Sequence, residues 1–161
     1  MKLPQIKAAL NNINYKEALE TARNHLNECG VALVLLEAVP TSKVRGATTI
    51  VNDIHAIYLS TRFKRIDVLY FALIHEIYHI LNNDFSKITT YVTEMGTDNE
   101  IEANNFSKNF FISKELYQEL VSKDVNYLSE GFIQQIAKRS GVIIDIVVGF
   151  LERYHKNQEP I

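Results

Sequence analysis

The chain has 161 residues, 47% of them apolar, a formal net charge of −2 and one cysteine, Cys29. Such a length and apolar content suffice for one domain with a substantial core. Near-neutrality argues against a surface built for nucleic acid or anionic membrane, and a single thiol rules out a disulfide framework. The opening MKLPQIKAALNN lacks the apolar run of a secretory signal. The oily runs VALVLLEAV and VIIDIVVGFL are too short to cross a bilayer, and each carries an acid. These features predict one cytoplasmic domain over residues 1–161.

In chain order, the first predicted element is a helix from Tyr15 to Glu28, with Ala18, Leu19, Ala22 and Leu26 at helical spacing and Cys29-Gly30 as its stop. VALVLLEAV reads as a buried strand ending at Pro40. GATTIVN and HAIYLST follow as two short strands turning at Asn52-Asp53. Everything after Arg65 reads as helix: one long segment through residues 73–81, a second from about Asn99 to Asn109, a third after Ser113, then IQQIAKRS and VIIDIVVGFLERYH. No repeat, low-complexity tract or Pro/Gly-rich linker divides the chain. Strands ahead of helices predict an α+β domain with a small sheet.

LIHEIYHIL, residues 73–81, carries the chemistry. His75-Glu76-Ile77-Tyr78-His79 fits HExxH. On a helix, residues four apart share a face one turn from each other, so both imidazoles can reach one tetrahedral zinc ion. Glu76 is rotated off that face. It suits a general base that takes a proton from water acidified by the metal and returns it to a leaving amine. The plainer account is a pair of satisfied polar groups on a helix, since five-residue motifs arise by chance. The oily flanks weigh against it, because buried imidazoles need partners.

A catalytic zinc site takes a third protein ligand and leaves one position open. TDNEIEANNFSKNFF supplies the candidates. If Ala103, Phe106 and Phe110 mark the inner face of that helix, Glu100 and Glu102 flank it on opposite sides, and periodicity barely separates them.

FALIHEIYHIL together with NEIEANNFSKNFFIS resembles the ImmA/IrrE family of metallopeptidases, in which a HExxH helix is followed by a Glu-Ala-Asn/Asp-x-x-Phe-like helix and a Leu-Leu-Met-Pro-like end. Here Glu102-Ala103-Asn104-Asn105-Phe106 stands for the second element, and Ser113 stands where the family has proline. The lead-in through GATTIVN and HAIYLST and the tail IAKRSGVIIDIVVGFLERY are similar too, so the likeness runs from about Tyr15 onward. It implies a zincin-like fold, zinc as cofactor, His75, His79 and Glu102 as ligands, and Glu76 as general base. It also implies site-specific cleavage of a helix-turn-helix repressor controlling stress or mobile-element genes. Too little chain precedes Tyr15 for such a DNA-binding segment, so the repressor is expected to be a separate polypeptide.

HAIYLST is the candidate edge strand for pairing with an extended substrate, as against an ordinary inner strand. Tyr91, between the two ligand-bearing helices, is a weak candidate for oxyanion contact. His25, His55 and His155 read as non-ligands, Lys64-Arg65 as a solvated helix start, Glu94 and Asp98 as loop acids, and Phe106, Phe110 and Phe111 as core. Two rival readings differ in class. A regulatory partner protein of this fold would use the metal structurally, but would not need Glu76. A helix-turn-helix DNA binder would use Ala137, Gly141, Val142 and Val147 as its framework. Its base-reading positions would then be Ile143, Ile144, Ile146 and Val148, which prefer a core, and Lys138 and Arg139 are too few for a phosphate footprint.

Overall fold

Asn52 and Asp53 both have positive φ, 49° and 63°. That pair of left-handed residues is what a two-residue type I′ hairpin requires, and its twist matches that of the strands it joins. The turn predicted from Asn-Asp is therefore present, and it sets the register of strands β2 (Gly46–Val51) and β3 (Ile54–Ser60), with Val51 opposite Ile54 and Gly46 opposite Leu59. In the computed structural model, residues 1–37, 45–61, 65–83, 98–123 and 128–156 are described, with His155 and Lys156 described by backbone only.

Strand β1 (Val31–Leu36) completes a three-stranded sheet of order β1-β3-β2, parallel to β3 on one side while β2 is antiparallel on the other. The expectation that HAIYLST is an edge strand is corrected here. Both of its sides are hydrogen-bonded, and Ala56, Ile57 and Leu59 are buried, so it is the centre of the sheet and β2 lies outside it. β1 is shorter than expected, ending at Leu36; Pro40 lies outside the described residues. Its alternating burial is that of a strand covered on one face.

Among the described residues there are seven helices, giving a mixed α+β domain. Helix α1 (Leu3–Leu10) was not foreseen, although Pro4 in its first turn and Ile6 and Leu10 four apart are its sequence signature. Helix α2 (Tyr15–Asn27) follows the prediction closely. The Asn14 side chain caps it, and Ala18, Leu19, Ala22 and Leu26 are all buried. Helix α3 (Ile66–Leu81) is apolar on nearly every face and correspondingly buried between the sheet and later helices. Helix α4 (Asp98–Phe111) packs along it, so Asp98 belongs to a helical first turn rather than a loop. Ser113 and Ser129 cap α5 (Lys114–Val121) and α6 (Glu130–Ser140). Gly141, at φ 66°, ends α6 before α7 (Ile144–Lys156). Lys64, Tyr91 and Glu94, and the side chain of His155, lie outside the described residues.

Helix α7 is clamped to the start of α3 by a buried charge. Asp67, 5% exposed at its side chain, receives a two-pronged guanidinium contact from Arg65 and a third hydrogen bond from Arg153 of α7, each 3.0 Å. Arg65 also pairs with Glu152 and stays half-exposed, so the solvated helix start is ion-paired as well. The approach is possible because α7 has a glycine opposite: a Cβ on Gly149 would lie 2.1 Å from Asp67 Oδ2. Gly149→Ala is expected to force these helices apart and cost about 1–3 kcal/mol of stability, read from denaturant midpoints. No described helix is long and apolar enough to cross a membrane.

Candidate metal centre

The buried polar side chains of the described residues are Thr48, Asp67, His75, Glu76, His79, Ser107 and Ser140. Four of these seven meet on one side of α3. His75 and His79 lie one turn apart, and their Nε2 atoms are 3.1 Å from each other. Nδ1 of His75 donates to Oδ1 of Asn104 across the α3–α4 groove at 3.2 Å, which leaves Nε2 as the lone-pair nitrogen facing inward. Burial first, and the neighbouring His79 second, push the His75 pKa down to about 3, with the Asn104 contact opposing; the imidazole is therefore neutral and able to ligate.

The third member is Glu100. One of its oxygens lies 3.1 Å from His75 Nε2 and the other 3.4 Å from His79 Nε2. His75, His79 and Glu100 thus form a group that could hold a metal ion, with ligand atoms all within 4.8 Å of one another. The expectation that Glu102 completes the trio does not match this geometry. Glu102 is exposed, and its carboxylate accepts a 2.5 Å hydrogen bond from the Tyr78 hydroxyl instead. The reason lies in the helix face. The buried stripe of α4 is Ala103, Ser107 and Phe111, not Ala103, Phe106 and Phe110. At about 100° per residue, Glu100 lies about 20° from the centre of that stripe and Glu102 about 140° from it. Ser107 can occupy the inner face because its hydroxyl donates to the Ala103 carbonyl at 2.8 Å. Phe106 and Phe110 pack at the margin of the core, and only Phe111 is fully buried.

Glu76 projects from α3 toward the outer strand. It is fully buried, and Thr48 of β2 donates to its Oε2 at 2.6 Å. Its Oε1 has no hydrogen-bond partner among the described residues. Burial raises its pKa to about 7, the Thr48 bond holds it down in part, and the Glu100 charge adds to the rise. A carboxylate poised near neutrality with one uncommitted oxygen is equipped to exchange a proton. Gly46 makes room for it, since a Cβ there would lie 2.8 Å from both Cγ and Oε1 of Glu76. Gly46→Ala should therefore displace the carboxylate. If the peptidase expectation holds, the reaction should slow about 100-fold with metal content unchanged, measured by turnover beside metal analysis of one sample.

Asn104, Thr48 and Gly46 were quoted in the sequence motifs without a role. Nothing in the local pattern distinguishes them, because their function comes from which elements pack against α3. His25 lies on α2 with Glu28 as its neighbour at 3.6 Å, and His55 lies in β3; neither joins the cluster. No protein-family model matches the chain, and no curated protein matches it.

Proposed function

We propose that this chain is a zinc-dependent endopeptidase of the ImmA/IrrE kind with a zincin-like fold. The observation that carries the reading is the convergence of two buried imidazoles and one carboxylate beside a separate, buried glutamate. The spacings suit zinc. Ligands about 2.0–2.1 Å from a tetrahedral ion stand about 3.3–3.4 Å apart; the two Nε2 atoms are 3.1 Å apart, and the Glu100 oxygens lie one 3.1 Å from His75 Nε2 and the other 3.4 Å from His79 Nε2. A zinc ion held there would supply Lewis acidity toward the scissile carbonyl and acidify water. Glu76 then takes a proton on Oε1 while Thr48 fixes Oε2, and returns it to the departing amine. A purely structural metal site would have no use for this fourth group.

The substrate's approach is supplied by β2. Arg45 accepts from Ser60 N–H at 2.9 Å, so odd-numbered β2 residues are the ones bonded to β3. The backbone groups of Gly46, Thr48 and Ile50 therefore point to the outer side, where no described strand pairs. An extended peptide adding to that edge would lie alongside Glu76. The rival DNA-binding reading fares less well. Of its four base-reading positions Ile146 is buried and Ile143 and Ile144 are half-buried, so these serve packing, while the exposed Val148 has no polar group to offer a base.

The natural target of the proposed enzyme is a helix-turn-helix repressor on another polypeptide, recognised by docking and cut at one site in control of a mobile element or stress genes. Incubating the zinc-loaded chain with a helix-turn-helix regulator encoded beside it should yield two fragments with a single new terminus by mass spectrometry. Rapid digestion of casein at many positions would contradict the specificity assigned here.

A further inference from the structure

The groove between α3 and α4 does not end at the histidines. Val68, Ala72, His75 and His79 form one stripe of α3, and Glu100, Asn104 and Lys108 form the facing stripe of α4. Past His75 the groove opens into a cavity of about 380 Å³ whose wall includes Ala72, Asn104, Lys108, Arg45 and Arg153. Asn104 belongs to both places: it lines the cavity and holds His75. From the helix rise, Ala72 is about 4.5 Å and Val68 about 10 Å along α3 from His75.

Three cations and no carboxylate line this cavity among the described residues. Arg153 and Lys108 are positioned by aromatic neighbours. Arg153 packs beside the T-shaped pair of Phe71 and Phe150, 5.4 and 5.0 Å from their centroids, and is tied to Asp67. Lys108 has its ammonium 4.7 Å above the Tyr117 ring. Burial disfavours the Arg153 charge most, the Asp67 carboxylate offsets this in part, and Arg65 and Arg45 are close enough to oppose it. Like charges gathered around a half-apolar cavity are relieved by an anion, and fixed donors bind one with little ordering cost.

We infer that this cavity is a subsite for a peptide carboxylate, an acidic side chain or a chain terminus, two or three residues from the bond that is cut. The span follows from the distance above and an advance of about 3.3 Å per residue of extended peptide. Its place in catalysis rests on the peptidase reading; its chemistry does not.

The test has two arms on the full chain. In the first, Arg Nε–H signals are followed by NMR during titration, with and without zinc, using N-acetylglutamate amide, N-acetylglutamine amide and N-acetylleucine. Shifts of the Arg45 and Arg153 signals with a carboxylate probe but not with the glutamine probe are expected, and the probe that acts tells side chain from terminus. No shift with either carboxylate, or a shift with inorganic phosphate alone, overturns the inference. In the second arm, calorimetry on the zinc-loaded chain compares ω-carboxyalkyl hydroxamates of increasing length with their primary amides. At one length the acid should bind about tenfold tighter or more, and Lys108→Met or Arg45→Met should erase the difference while acetohydroxamate binds all proteins alike. Equal binding of acid and amide at every length, with acetohydroxamate still bound, refutes the subsite and spares the metal centre. Failure of acetohydroxamate with the arginine shifts intact removes the peptidase reading and leaves the carboxylate pocket standing.

Discussion

Glu100→Gln should strip the protein of tightly held zinc, whereas Glu102→Gln should leave it loaded. Loss of an outer partner of a metal ligand costs about 10–100-fold in affinity, so loss of a ligand should exceed about 100-fold. Glu100 is the carboxylate within 3.1 and 3.4 Å of the two imidazoles. Glu102 bonds Tyr78 at the surface, and its replacement should alter stability by no more than about 0.5 kcal/mol. Metal content after dialysis against a competing chelator separates the two variants. Equal retention by both, or loss from the Glu102 variant alone, would show that the α4 face is assigned incorrectly. Asn104→Ala should fall between, because it frees the outer nitrogen of His75 without removing a ligand.

Glu76→Gln should abolish peptide cleavage, by about 10²–10⁴-fold, while metal content stays at the wild-type level. An undiminished biological effect of that variant would favour the regulatory-partner reading over the enzymatic one. The same substitution has a signature in the metal-free protein. Glu76 has its pKa raised in the fold, from 4.5 to about 7, so its ionised form is disfavoured there. Below pH 4.5 the carboxyl is protonated in folded and unfolded chains alike and carries no penalty. As pH climbs through the window from 4.5 to 7, the unfolded chain ionises first and wild-type stability falls. The glutamine variant should thus be the more stable protein at pH 8, by on the order of 1–3 kcal/mol, with the advantage gone in acid. Denaturant titrations at both pH values measure it.

The parts of the fold legible beforehand were those written in local periodicity. Helix α2, the Asn-Asp hairpin and the helical run through HExxH each carry their signal within a few consecutive residues. The errors arose where tertiary packing chose between local equals. On α4, two phenylalanines suggested a face that Ser107 and Phe111 in fact occupy, because a serine bonded to the preceding turn can be buried while Phe106 rests at the margin. That change of face carries Glu100 inward and Glu102 outward. Within the sheet, strand order is a property of three segments together, and β1 pairing in parallel with β3 makes the expected edge into the middle. Thr48 and Gly46 were invisible for the same reason, as their partner lies 28 and 30 positions away in sequence. His75, Glu76 and His79 needed no such context, since their relation is fixed by the helix itself.

The clasp between Asp67 and Arg153 joins groups 86 positions apart. The histidine-bearing helix is therefore secured at its first turn by a side chain synthesised 86 residues later. On a ribosome, the half-made polypeptide would carry both imidazoles long before it acquired that anchor or the far wall of the cationic cavity. Completion of the histidine cluster's surroundings is thereby deferred until α7 has left the ribosome, so that a nascent chain would not yet hold the finished groove.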